Sequence, residues 1–187
     1  MKRVVKKIVI KILTWQATLL LKKHKPMIVA ITGSVGKTST KDAVYAAIKN
    51  SVTARKSQKS YNSEFGAPLT VLGLSTGWNN PFLWVKNIVD GFFTVVFSKD
   101  YPKVLVLEAG IDRPGDMAAL TKWIKPNIVV LTRLPEVPVH VEFFNSPDEV
   151  VEEKMKLISA MASDGVVIYN NDDKIIQSQL ANIRQRT

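Results

Sequence analysis

The chain has 187 residues, 46% of them hydrophobic and 22% charged, a size and balance that suit one α/β domain with a proper core and exclude a disordered segment or an enzyme of several domains. It contains no cysteine and two histidines, which removes disulfide frameworks, thiolate zinc sites and cysteine nucleophiles and leaves little for a histidine-rich metal site. The net charge is +10, but eight of the 26 basic residues lie within residues 1–25, where there is no acid, and the other 18 are nearly matched by 16 acids. A globular part so balanced gives no reason to expect a nucleic acid partner.

Residues 1–25 place Val5, Ile8, Val9, Ile12, Trp15, Leu19 and Leu20 at helical spacing, with Lys7, Lys11, Thr14, Thr18 and Lys22 on another face. That pattern predicts a basic amphipathic helix. Its apolar run is interrupted before the roughly 18–20 residues that a membrane span needs, and it lacks the small-residue cleavage site of a signal peptide. Two settings suit it: peripheral contact with an anionic membrane at the cytoplasmic face, or packing on its own domain or on sequence outside these 187 residues. Pro26 ends it.

From Met27 onward strand and helix signals alternate. A short apolar strand at Met27–Ile31 is followed by a helix at Lys37–Lys49, a second strand at Ser51–Ala54 and a polar stretch at Ser57–Ser63 suited to a functional loop. A helix at Ala67–Leu74 precedes one at Pro81–Phe97, expected to be buried, with Gly91 weakening its continuity. Strands at Lys103–Leu107 and Asn127–Leu131 flank a helix at Gly115–Trp123, and a helix at Pro147–Met161, a strand at Val166–Tyr169 and a helix at Asp172–Arg184 complete the series. The expected fold is α/β, a P-loop-type mostly parallel sheet with helices on both faces, over residues 26–187.

The stretch Met27–Thr40 joins strand, glycine turn and helix start without a gap. Gly33 and Gly36 let the backbone curl so that the N–H groups of Ser34, Val35 and their neighbours point inward, and the helix beginning near Lys37 adds its positive end to a polyphosphate site. Lys37 is placed to reach the β and γ phosphates, and the Thr38 hydroxyl, next to Ser39, to ligate magnesium. The common spacing would place glycine at position 31, which is Ile31 here, so the loop is a shortened variant.

Thr32–Ser39 resembles the ATP loop of the Mur ligases, which add amino acids and dipeptides to the cell-wall precursor. Four further blocks follow in order, Asn62–Leu72, Glu108–Asp116, Val137–Phe144 and Tyr169–Asp173, and look like those of the branch that adds D-alanyl-D-alanine. The resemblance covers Pro26 to about Asp173 and implies the central ATP-binding domain of a peptide ligase, with ATP and magnesium as cofactors and the peptidoglycan precursor as substrate. Such a ligase phosphorylates a carboxylate and lets an amine displace the phosphate. A folylpolyglutamate-type ligase, or a membrane-associated nucleotide module without turnover, would share the loop.

Residue by residue, Glu108 ends an apolar strand at its carboxyl end, where a carboxylate can face Thr38 across magnesium or be a solvated acid. The resemblance assigns His140 to the second metal's neighbourhood, Asn62 and Glu64 to the substrate loop, and Asn171 with Asp172 to the nucleotide, although Asn-Asn-Asp-Asp is also a good turn and cap. It makes Lys154 the lysine that several Mur ligases carbamylate and bind to metal. Val150, Val151, Leu157 and Ile158 surround Lys154 at helical spacing, consistent with burial or with a stem over an apolar face. Lys156, three residues after Glu153, suits a solvated pair. Arg133 departs from the family's usual asparagine, and the family's UDP-sugar domain and C-terminal domain are expected to be absent from these 187 residues.

Overall fold

Runs of branched aliphatic residues with no polar face form strands where both sides of a sheet are covered. The computed structural model describes residues 3–58, 65–135 and 141–181; Asn62, Glu64 and His140 lie outside them. Strands β1 (Met27–Thr32), β2 (Ala54–Lys56), β3 (Val104–Glu108), β4 (Ile128–Leu131) and β5 (Val166–Tyr169) form one sheet in the order β2-β3-β1-β4-β5. All four pairings are parallel, with Ile31 opposite Glu108 and Thr32 opposite Leu131. The loops that follow β1, β3 and β4 therefore meet at one carboxyl edge, where the chain switches direction and ligands of open α/β sheets collect.

Alternation along the strands divides the core. Val29, Ile31, Val104 and Val106 face Val44 and Ile48 of α2 (Lys37–Ile48). On the other face Ile28, Leu105 and Leu107 lie under α1 (Arg3–His24), α3 (Gly66–Leu72) and α4 (Pro81–Phe97). Val129, Leu131 and Val167 lie there under α5 (Asp116–Thr121), α6 (Pro147–Ser159) and α7 (Lys174–Leu180). A 3₁₀ turn at Val141–Phe143 precedes α6.

The N-terminal helix forms and packs on its own domain. Val9, Leu13, Gln16, Ala17 and Leu20 are buried, a stripe rotated from the expected one, while Val5, Ile8 and Trp15 stay exposed. Gln16 Nε2 donates to Ile88 O at 2.9 Å, and a Cβ at Gly91 would lie 2.3 Å from Gln16 Oε1. Gly91 is thus the point of closest approach between α1 and α4, and α4 runs unbroken past it. Asn80 caps α4, its side chain accepting from Phe82 N and Leu83 N ahead of Pro81 in the first turn.

Two expectations change. Helix α4 is not a buried helix: Trp84, Asn87 and Gly91 are buried, whereas Phe82, Val85, Val89, Phe92, Phe93, Val96 and Phe97 are exposed. The second strand starts later than expected because Ser51 N and Val52 N both donate to Ile48 O, which finishes α2 and delays the extended backbone to Ala54. Among the described residues no helix is long and apolar enough to cross a membrane.

Candidate functional site

The glycine loop is shaped by its neighbour across the sheet. Gly33 sits at φ 142°, and a Cβ there would lie 2.0 Å from Thr132 Oγ1. The Thr132 hydroxyl donates to Thr32 O at 3.2 Å and Ser34 N donates to Arg133 O at 2.7 Å, so the segment after β4 is pressed against the loop. Gly36, at φ 84°, starts α2 without a side-chain cap, leaving the helix's positive end facing the loop. The buried hydroxyls of Thr32 and Ser34 have no hydrogen-bond partner among the described residues, while Val35 and Ser39 are exposed. Gly33→Ala is expected to cost about 2–4 kcal/mol, from overpacking and an unfavourable φ together. Urea melts check it, and a midpoint equal to wild type contradicts this packing.

At the head of the loop Thr38 Oγ1 donates to Glu108 Oε2 at 2.9 Å. Octahedral magnesium with oxygen ligands at about 2.1 Å separates neighbouring ligands by about 3 Å, so the hydroxyl and carboxylate already stand at the spacing of adjacent ligands. Glu108 is 6% exposed, which rules out a solvated strand-end acid. No cluster of three or more His, Asp or Glu side chains suited to a metal occurs among the described residues, so the oxygen pair here is one hydroxyl and one carboxylate.

Lys41 completes this corner and was not singled out in the sequence. Its ammonium is buried, 3.7 Å from Glu108 Oε2 and 3.6 Å from Asp42 Oδ1, and Asp42 in turn pairs with Lys56 at 2.9 Å. The available signal was spacing: Lys41 lies one turn after Thr38, so the helix face that meets β3 carries both.

Lys37 Nζ donates to Gly33 O at 3.0 Å and Ser34 O at 3.3 Å. Burial holds its pKa below the ordinary lysine value, opposed by the charges of Glu108 and Asp112. Lys154, on α6, is 3% exposed. Burial, with a smaller contribution from the charge of Lys37, pushes it down to about 8. No carboxylate pairs with it among the described residues. Glu153 beside it is not solvated: it is 3% exposed, and its Oε1 accepts from Met117 N at 2.9 Å and Ala118 N at 3.1 Å, capping α5. Its other oxygen takes the Lys156 ammonium.

Lys37, Thr38 and Glu108 are thereby brought together, and Lys154 lies within reach of the Lys37 charge. Asn171 is exposed, its backbone and side-chain oxygens accepting from Gln177 Nε2. The neighbouring Asp173 caps α7 and accepts from Leu134 N at 2.7 Å. An open cleft of about 660 Å³ runs beside it, lined by Arg133, Leu134, Pro135, Asn170, Asp172 and Lys174 among others.

Known proteins carry the same pattern. The Mur ligase middle domain matches residues 91–187, just over half of the chain. Two proteins named UDP-N-acetylmuramoyl-tripeptide--D-alanyl-D-alanine ligase, from Bacillus subtilis (strain 168) and Mycobacterium leprae (strain TN), are 26% and 33% identical over 81% and 80% of this chain, which spans 27% and 24% of their lengths. The crystal structure of MurF ligase from Thermotoga maritima in complex with ADP matches with a TM-score of 0.72 and 26% identity, over 95% of this chain and 35% of that one. The chain belongs to the Mur ligase family and carries that family's middle domain.

Proposed function

We propose that this chain is the ATP-binding part of an ATP-dependent peptide ligase of peptidoglycan precursor synthesis, one that activates a carboxylate as an acyl phosphate for attack by an amine such as D-alanyl-D-alanine. The observation that carries the reading is the Thr38–Glu108 contact of 2.9 Å at the mouth of the glycine loop. The N–H groups of residues 35–38 at the start of α2 cradle polyphosphate, that of Ser34 being taken by Arg133 O, and Lys37 turns its ammonium from the Gly33 and Ser34 carbonyls to the β and γ phosphates. Bound magnesium supplies neutralisation of phosphate charge during transfer, and Thr38 and Glu108 are the residues that would hold it. Lys41 balances the Glu108 carboxylate, its ammonium 3.7 Å from the same oxygen that accepts from Thr38.

Lys154 is the proposed third ligand, as a carbamate. Its pKa of about 8 leaves roughly a tenth of it neutral at pH 7. The neutral amine attacks carbon dioxide, forms a C–N bond and releases a proton, turning a buried cation into an anion beside Lys37. His140 and Asn62 are proposed for the second metal and the substrate, and Asn171 for the nucleotide. Peripheral contact with an anionic membrane through residues 1–25 belongs to the same reading, supported by eight cations without an acid.

The chain spans about a quarter of the curated relatives it matches, so the grip on the UDP-sugar and the closing of the site over the amine are proposed to reside outside these 187 residues. Calorimetry tests the core of the reading: ATP binding is expected to require magnesium, and Glu108→Gln to remove most of that requirement's benefit. Binding that ignores magnesium in both forms overturns it. With precursor and D-alanyl-D-alanine supplied, the 187 residues alone are expected to give slow phosphate release and no amide; ligation of glutamate to a folate would reassign the branch.

A further inference from the structure

Helices α1 and α4 lie side by side and run the same way: Gln16 meets Ile88, Lys23 Nζ donates to Val95 O and Val96 O, and His24 meets Ser98. On α1 the flank marked by Gln16 and Lys23 continues outward through Ile8 and Trp15 at helical spacing, while Lys7, Lys11 and Lys22 fall on the far flank. On α4 the residues opposite buried Trp84, Asn87 and Gly91 are Phe82, Val85, Val89, Phe93, Val96 and Phe97, all exposed, with Phe82 at 82% and Phe97 at 66%. The two outward faces adjoin. They make one apolar strip about 25 Å long, the length of a 17-residue helix, and a contiguous exposed apolar face of this kind marks an interaction surface.

We infer that this α1–α4 face is a membrane-binding surface, with α4 supplying the inserted apolar side chains and the α1 lysines the contacts to anionic headgroups. The inference rests on the proposed peripheral contact through residues 1–25 but moves its apolar part to α4, because the best-placed apolar residues of α1 are spent inside the protein. Charge decides the occupant. The strip is bordered on the α1 side by Lys7, Lys11 and Lys22, and no acid occurs in residues 1–25; an anionic lipid surface meets that border with opposite charge. The α4 side of the strip carries the exposed Lys86–Asp90 ion pair, which adds no net charge, and a second copy docked with the two lysine borders in contact brings like charges together. Trp15, 58% exposed at the edge of the strip, has the apolar body and polar N–H that favour the headgroup level. The strip lies flat along two helices rather than across a bilayer, in keeping with the absence of a spanning helix among the described residues.

Co-sedimentation of the whole chain with vesicles of phosphatidylcholine alone, and of equal parts phosphatidylcholine and phosphatidylglycerol, tests this. Binding is expected to the anionic vesicles, weakening at least tenfold in high salt. Phe93→Ser with Phe97→Ser lowers it at least tenfold, whereas Trp15→Ser alone changes it less. Lys11→Glu with Lys22→Glu removes the preference for anionic vesicles. These side chains are exposed, and circular dichroism checks that each variant keeps its helices; Val85→Ser with Val89→Ser provides an independent pair. Anionic binding untouched by both α4 pairs overturns the inference and leaves contact through α1 alone standing. Absence of binding to any vesicle overturns both, and a concentration-dependent dimer that the α4 pairs dissolve assigns the face to a second copy instead.

Discussion

Lys37→Ala weakens binding of ATP with magnesium by about tenfold to a hundredfold, the equivalent of losing about 1.5–3 kcal/mol of charge-assisted hydrogen bonding. The lysine head already lies over the loop, held by the Gly33 and Ser34 carbonyls, so its reach to a phosphate seated among the same N–H groups requires only a side-chain rotation. Burial lowers its pKa, opposed by the charges of Glu108 and Asp112, and an anionic phosphate placed beside the ammonium likewise favours the charged form. Titration calorimetry on the wild type, on Lys37→Ala and on Lys49→Ala measures this. Lys49 is exposed at the far end of the same helix and its replacement should leave affinity unchanged. Equal affinity in all three proteins would refute the assignment of the loop.

Lys154 sets the second large effect, on stability and its pH dependence. Its pKa falls from an ordinary 10.5 to about 8 in the folded chain, so between those values the unfolded chain holds more protons and stability rises with pH. Below about 8 the lysine is charged in both states and the burden of burying the cation is present in full, about 3 kcal/mol for a shift of that size. Lys154→Met is therefore expected to stabilise the unliganded protein by up to that amount at pH 7 and to flatten the rise between pH 8 and 10.5. Urea midpoints measured across that window for both proteins decide it. A wild-type stability that is flat or falling there contradicts a buried ammonium with no carboxylate partner among the described residues. Carbon-13 bicarbonate at pH 8 adds an independent reading, since a carbamate on this residue gives a carbonyl resonance that Lys154→Met lacks.

Much of the fold was legible because its signals are local. The run Met27–Thr32, the glycines and the start of α2 follow one another without interruption, and α4 has the limits that Pro81 and the apolar run predicted. What was misread depends on contacts distant in the chain. An apolar helix such as α4 looks buried in composition, but only packing reveals that Gly91 and Trp84 face inward while Phe93 does not. Glu153 looked like half of a surface pair with Lys156; it is buried because α5, more than thirty residues earlier, offers two N–H groups to its carboxylate. In the site, Thr38 and Glu108 were anticipated together from strand ends and motif, whereas Lys41 escaped because a lysine inside a helix ordinarily reads as solvent-facing. The places of Asn62 and His140 lie outside the described residues.

The packing of α1 on α4 also has a timing. Gln16 and Ile88 are 72 residues apart, and at about 5–20 residues per second of synthesis the first helix waits about 4–14 s before its partner exists. During that interval Val9, Leu13, Ala17 and Leu20 have no interior to enter, and the helix must be shielded by whatever apolar surface is nearby. The order in which this chain is made thus separates the emergence of α1 from the moment at which it can fold, and lets this half of the core, whose residues end at Ile124, close before the half that waits for α6 and α7.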